Sequence, residues 1–159
     1  MKLSSDIKAN KRNTKGLFFI LFFRFSSFFS KNIFLKILGL PVRLLYKITV
    51  QWILGIDIPD TTTIGQGFLL FHGQGLIVNS ATVIGENVTM RHNTTVGNAF
   101  PLGGSPVIED YVEIGASAVV IGEITVGKNA LIAAGSVVTK DVAPNTIVAG
   151  NPAKVIRSR

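Results

Sequence analysis

The chain has 159 residues, no cysteine and a formal net charge of +7 at pH 7. That length suits one domain with a continuous core and a short appendage, and the lack of cysteine excludes disulfide frameworks, thiol nucleophiles and thiolate metal sites. The charge is uneven: residues 1–55 hold ten Lys/Arg against Asp6 alone, and residues 56–159 hold six against eight Asp/Glu, so the basicity belongs to the appendage and no nucleic-acid partner is expected.

Met1–Gly16 is polar and basic and is expected to be frayed or weakly helical. Leu17–Phe29 carries seven phenylalanines but also Arg24, and it is shorter than the roughly 20 apolar residues a membrane span needs. No small-residue cleavage site follows it, so a cytoplasmic protein is expected. Leu17–Ser30 and Ile33–Leu54 read as two helices, the second kinked or restarted at Pro41. On the second, Lys36, Arg43 and Lys47 fall close to one face, opposite Phe34, Leu38, Leu45 and Ile48. Two roles are expected of these helices: capping the open end of the repeat that follows, and peripheral contact with an anionic inner membrane face.

From Val78 to Val138 every sixth residue is aliphatic: Val78, Ile84, Met90, Val96, Leu102, Ile108, Ile114, Val120, Val126, Ile132 and Val138. A helix would repeat its apolar positions at three and four, and a lone strand at two. Strict sixes fit a chain wrapped around a triangular prism, with one short strand and one inward aliphatic per face, each coil stacked on the last at roughly 4.8 Å. This is the hexapeptide pattern of a parallel β-helix. The earlier run Ile58, Ile64, Leu70 also steps in sixes, but Leu70 to Val78 is eight. The two extra residues fall in His72-Gly73-Gln74-Gly75, which holds one of the two histidines. Asn98–Ser105 is rich in turn residues and precedes Pro106; although Leu102 keeps the period, this hexapeptide is expected to loop out. The expected organisation is a helical appendage at 1–55, the β-helix at 56–143 with its loop at 98–105, and a C-terminal strap at 144–159.

Counting registers, His72 and His92 are each the third residue of a hexapeptide, one coil apart. With 98–105 looped out, the same column continues through Ala116 and Ala134. Two histidines would then open into a groove lined by small residues, suited to a thin, extended ligand. With no loop, the column runs through Asp110 and Lys128 and the groove is lost.

Gly55-Ile56-Asp57-Ile58, Ile64-Gly65-Gln66-Gly67, His72-Gly73, Arg91-His92, Val96-Gly97-Asn98, Ala134-Gly135-Ser136-Val137-Val138 and Gly150-Asn151-Pro152-Ala153-Lys154 follow one another in this order. Over about residues 40–159 the chain thereby resembles the bacterial hexapeptide-repeat acyltransferases of the serine acetyltransferase type, above all the short subgroup that O-acetylates exopolysaccharides such as colanic acid. The resemblance implies a left-handed β-helix, a homotrimer with clefts between subunits, and acetyl-CoA as acyl donor. It places the catalytic histidine on His72, its orienting aspartate on Asp57, and the CoA-lining alanines on Ala116 and Ala134. The chemistry agrees: a hydroxyl attacking a thioester must lose its proton as the bond forms, a task for neutral imidazole near pH 7. Asp57 would fix the tautomer, and backbone N–H groups near Gly73–Gly75 or across the interface would hold the oxyanion.

Three roles are open to His92: positioning the acceptor, sharing the proton, or covering the groove. Lys140 and Lys154 are candidates for the CoA phosphates, against simple solvation. The chain also departs from the serine enzymes. Phe71 stands where they carry an aspartate, and Gly104-Ser105 where they carry an Arg-His pair; those groups bind the amino and carboxylate groups of serine. A saccharide hydroxyl, on a polymer or a lipid-linked precursor, is therefore the expected acceptor, with serine as the alternative. No metal is expected, because a zinc enzyme on this fold needs three histidines and the chain has two. The remaining rival is a non-catalytic β-helix scaffold, without affinity for CoA.

Overall fold

In the computed structural model, which describes residues 3–159, the period of six becomes three parallel sheets around a triangular core. The first sheet contains β1 (Ile56–Asp57), β4 (Leu76–Val78), β7 (Thr95–Gly97), β10 (Val119–Ile121) and β13 (Val137–Val138). The second contains β2 (Thr63–Ile64), β5 (Val83–Ile84), β8 (Val107–Ile108) and β11 (Thr125–Val126). The third contains β3 (Leu69–Phe71), β6 (Thr89–Arg91), β9 (Glu113–Ile114), β12 (Leu131–Ile132), β14 (Thr146–Ala149) and β15 (Lys154–Ser158).

Each sheet stacks one aliphatic column inward. Val78, Val96, Val120 and Val138 are in register in the first; Ile64, Ile84, Ile108 and Val126 in the second; Leu70, Met90, Ile114, Ile132 and Val148 in the third. All are buried. At about 1.5–3 kcal/mol per buried aliphatic side chain, these columns hold the solenoid together. Leu102 is the exception: it is 101% exposed, because 98–105 loops out between β7 and β8 and the strands above and below pair as though it were missing. The solenoid also runs past the boundary expected at 143. β14 pairs parallel with β12 as a further coil, and only β15 folds back, antiparallel to β14.

The N-terminal residues differ from expectation. Leu3–Ala9 is helical (α1), with Asp6 buried, and Asn10 just beyond it is buried too. The reason is the open end of the first coil, whose strand edges present carbonyls and amides that need partners. Asn10 Nδ2 donates to the Phe68 carbonyl at 2.8 Å, Arg24 Nη1 to that of Ile64 at 2.6 Å, and the Gly67 amide donates to Asp6 Oδ1 at 2.7 Å. Arg24 and Asp6 pair at 2.9 Å. α2 (Thr14–Phe29) lays Phe19, Ile20 and Phe23 on the core.

Of the two expectations for Ile33–Leu54, a kink or a restart at Pro41, the structure shows a restart. The segment divides into α3 (Ile33–Leu38), α4 (Leu40–Tyr46) and a π-helical segment, Lys47–Ile53. The break falls at Gly39, where Phe29 packs so closely that a Cβ would clash, and Pro41 then sits in the first turn of α4, where its missing N–H costs nothing. Tyr46 and Val50 complete the cap, the Tyr46 hydroxyl donating to the Ile58 carbonyl at 2.8 Å. Burial, with Asp60 and Asp57 nearby, raises the Tyr46 phenol well above its ordinary value.

Arg43 does not belong to an outward basic stripe. Its Nε and Nη2 donate to the Asp60 carboxylate at 2.7 and 3.0 Å, and this hydrogen-bonded acid raises the guanidinium's pKa. Nor do all the helices cap: α3 buries no residue, and Phe34, Leu38 and Leu45 are exposed. Among the described residues, no helix is long and apolar enough to cross a membrane.

Candidate active site

The two-residue insertion after β3 consists of His72 and Gly73, both with left-handed backbone, φ 66° and 68°. Glycine takes that conformation freely, whereas histidine carries some strain there. The insertion pushes His72 out at the corner between the third and first sheets, where its side chain is exposed. Phe71 pairs with Arg91, so counting forward from the strand puts His72 level with His92, as the sequence arithmetic expects. The two rings meet edge to face, 5.8 Å between centroids. Beyond the insertion the register differs: the amide of Asn93 donates to the Gln74 carbonyl, that of Ser117 to His92 and that of Gly135 to Ala116. The backbone column is therefore Gln74, His92, Ala116, Ala134, with His72 standing beside its foot.

Ala116 is half-buried and Ala134 exposed, giving a narrow track that rises from the histidines. At its top, Gly150 accepts from the Val137 amide at 2.9 Å and donates to Ser136 Oγ at 3.3 Å. Between the turn after β13 and the C-terminal strap, a hollow of about 250 Å³ is lined by Lys140, Asp141 and Lys154 among others. The two lysines, fourteen positions apart in sequence, thus share one small hollow with Asp141.

Asp57 is exposed on the outer face of β1, and its Oδ1 accepts from Gln51 Nε2 at 2.8 Å. No hydrogen bond joins it to His72 among the described residues. Asp57 faces a cavity of about 640 Å³ between the first coil and the helices, lined also by Gln51, Trp52, Leu40 and Asp60. The expected oxyanion donors narrow as well. The Gly73 amide is already bonded to the Phe71 carbonyl and that of Gly75 to Gly55, both at 2.8 Å, which leaves the Gln74 N–H among those three. His92 Nδ1 is buried without a hydrogen-bond partner among the described residues.

Two features escaped the sequence reading. One is Gln51 as the partner of Asp57, which only the tertiary placement of the π-helical segment reveals. The other is the Arg91 guanidinium lying over the Phe71 ring, 4.9 Å from its centroid. The register count that stacked His72 on His92 also stacks Phe71 on Arg91, so that signal was present.

The family described as bacterial transferase hexapeptide (six repeats) matches residues 105–140. WcaB of Escherichia coli (strain K12), provisionally named a colanic acid biosynthesis acetyltransferase, is 34% identical over 155 residues, which cover 94% of this chain and 96% of WcaB. The chain belongs to the hexapeptide-repeat transferases. Serine acetyltransferase 2 of Arabidopsis thaliana is 42% identical over 110 residues, 68% of this chain but only 34% of that protein; the chain spans about a third of the plant enzyme's length. Among solved structures, the serine acetyltransferase of Brucella abortus strain S19 in complex with coenzyme A superposes with a TM-score of 0.83 at 31% identity, covering 98% of this chain and 66% of that one. Soybean serine acetyltransferase complexed with serine gives 0.83 at 32%, covering 96% and 67%.

Proposed function

We propose that this hexapeptide transferase moves acetyl from acetyl-CoA to a hydroxyl of a saccharide, on a polymer or a lipid-linked precursor, with His72 as general base. The observation that carries the reading is the position of His72: raised on a left-handed insertion, beside a second imidazole, at the foot of a column that continues in small residues. The pantetheine arm fits along Ala116 and Ala134, with Lys140 and Lys154 toward the phosphates. His72 takes the proton of the acceptor hydroxyl as its oxygen bonds to the thioester carbonyl carbon. The Gln74 N–H faces the oxyanion. Collapse of the tetrahedral adduct breaks the C–S bond, and the imidazolium returns the proton to the sulfur, leaving an O-acetyl ester and CoA thiol. Asp57, turning from Gln51 to His72 when the acceptor closes the site, orients the ring; His92 positions the acceptor. The working unit in this reading is a homotrimer, and the exposed outer aliphatics Ile77, Val83 and Val107 offer faces for the other copies.

Similarity to serine acetyltransferases favours serine as a second acceptor reading; Phe71 and Gly104-Ser105, which offer no acidic partner for its amino group, weigh against it. CoA release from acetyl-CoA, measured with a panel of oligosaccharides and with serine, separates the two. The expected result is release that depends on a saccharide. Release with serine alone would replace the acceptor assignment, and no release or CoA binding at all would favour the scaffold.

We also infer peripheral contact with an anionic membrane surface through exposed Phe34, Leu38, Leu45 and Trp52, with Lys36 and Lys47 at their edge. Since each surface lysine adds about 1 kcal/mol of attraction, Lys36→Glu with Lys47→Glu is expected to cut co-sedimentation with phosphatidylserine vesicles by about 30-fold or more. Equal sedimentation of variant and parent would remove the membrane from the account.

A further inference from the structure

The geometry points to an anion-binding subsite beside His72, formed by Arg91 lying over Phe71, which selects a saccharide acceptor that carries a carboxylate. This inference rests on the saccharide reading above and names the acceptor's chemical class.

Arg91 is exposed on the outer face of β6, immediately before His92, and Phe71 immediately precedes His72. The guanidinium carbon lies 4.9 Å from the Phe71 ring centroid. Contact with the ring restrains the guanidinium and leaves its N–H edges free, the arrangement that receives a carboxylate through two parallel hydrogen bonds. No side-chain hydrogen bond or ion pair among the described residues occupies those edges. The three ion pairs among the described residues use Arg24, Arg43 and Arg159. Glu113, the acid on the same sheet face, is engaged by Arg159. An exposed cation without a protein partner, next to the candidate base, is one that a ligand can neutralise.

The direction of the donor assigns which ligand. Above Arg91 the register runs to Gly115 and then Ala133, and above His92 to Ala116 and Ala134. Both columns shrink to small residues up the solenoid, so the thin acyl donor descends from that side. The bulky groups Phe71, His72, Arg91 and His92 are gathered at the foot, on the acceptor's side of the reacting carbonyl. Arg91 there serves the acceptor, and a planar two-oxygen group, as in a uronic acid or a carboxyl-bearing substituent, matches its fork.

The experiment uses the full chain, acetyl-CoA and three acceptors: a glucuronic-acid-containing disaccharide, its methyl ester, and the glucose counterpart. CoA release gives kcat/KM for each. The parent protein is expected to prefer the acid over the ester by about 10-fold or more, the scale of a charge-assisted pair. Arg91→Gln should bring that ratio near one, through KM rather than kcat. Arg91→Lys, which keeps the charge and loses the fork, should retain part of the preference, and Phe71→Leu should lower it by freeing the guanidinium. A parent ratio near one, or a ratio unmoved by Arg91→Gln in a variant that melts like the parent, overturns the subsite and leaves acetyl transfer to saccharides standing. Release with serine and with none of the three sugars removes the saccharide reading itself.

Discussion

Replacing His72 is expected to lower kcat/KM for acetyl transfer by about 1,000-fold, the middle of the range contributed by a positioned base, with nearly all of the loss in kcat. The choice of variant matters, because residue 72 has φ 66°. Alanine is strained in left-handed backbone, while asparagine tolerates it better than most residues. His72→Asn therefore removes the basic nitrogen and keeps the insertion's shape, and His72→Ala serves as the second variant. Affinity for acetyl-CoA should stay close to the parent's in His72→Asn, since the track of Ala116 and Ala134 and the basin of Lys140 and Lys154 lie one or more coils away. The two kinetic constants carry different meanings. A loss confined to KM would make His72 a binding residue. A loss of less than tenfold in both variants would pass the role of base to His92, whose ring lies 5.8 Å away. His92→Gln separates these cases, with an expected loss much smaller than that of His72→Asn.

The core of the fold was legible because a solenoid repeats one local decision: an inward aliphatic every six residues, with corners that accept small residues or asparagine. Leu102 shows the limit. It keeps the period perfectly and is nonetheless fully exposed, so the turn residues around it, not its own hydropathy, carried the information. The site was legible in part. The arithmetic brought His72 to His92 but could not locate the two extra residues within His72–Gly75, and the backbone conformation at 72–73 is what puts Gln74 in the column beneath His92. The helices were least legible. Their partners are carbonyls, amides and acids of the first coil, tens of residues away in sequence: Asn10 on Phe68, Arg24 on Ile64, Arg43 on Asp60. Apolar periodicity carries no trace of such pairings, and so Arg43 resembled one more cation on a basic stripe.

That last pairing gives the largest expected effect on stability. Asp60 is buried and accepts three hydrogen bonds, from Arg43 Nε at 2.7 Å, Arg43 Nη2 at 3.0 Å and Ser26 Oγ at 2.7 Å. It thereby ties α2 and α4 to the first coil at a single carboxylate. Asp60→Ala leaves a largely covered guanidinium and a buried hydroxyl without an acceptor. Breaking a buried pair by removing one partner costs about 3–5 kcal/mol. The Arg43 side chain keeps 25% of its surface in water, which places the expected loss near the lower end, about 3 kcal/mol, or a fall in Tm of roughly 6–12 °C for a chain of this size. Asp60→Asn keeps an acceptor for Ser26 and should lose less. Glu86→Ala, at an exposed acid that accepts a hydrogen bond from Gln66, should stay within about 0.5 kcal/mol. The sign of the coupling provides the sharper check. Arg43→Met alone strands a buried carboxylate, whereas Arg43→Met combined with Asp60→Leu removes both charges together, and apolar replacement of a whole pair is often close to neutral. The double variant should therefore melt above either single one. Additive losses, or an unchanged Tm in Asp60→Ala, would mean that the cap is held by Phe19, Phe23 and Tyr46 alone and that the polar lock contributes nothing.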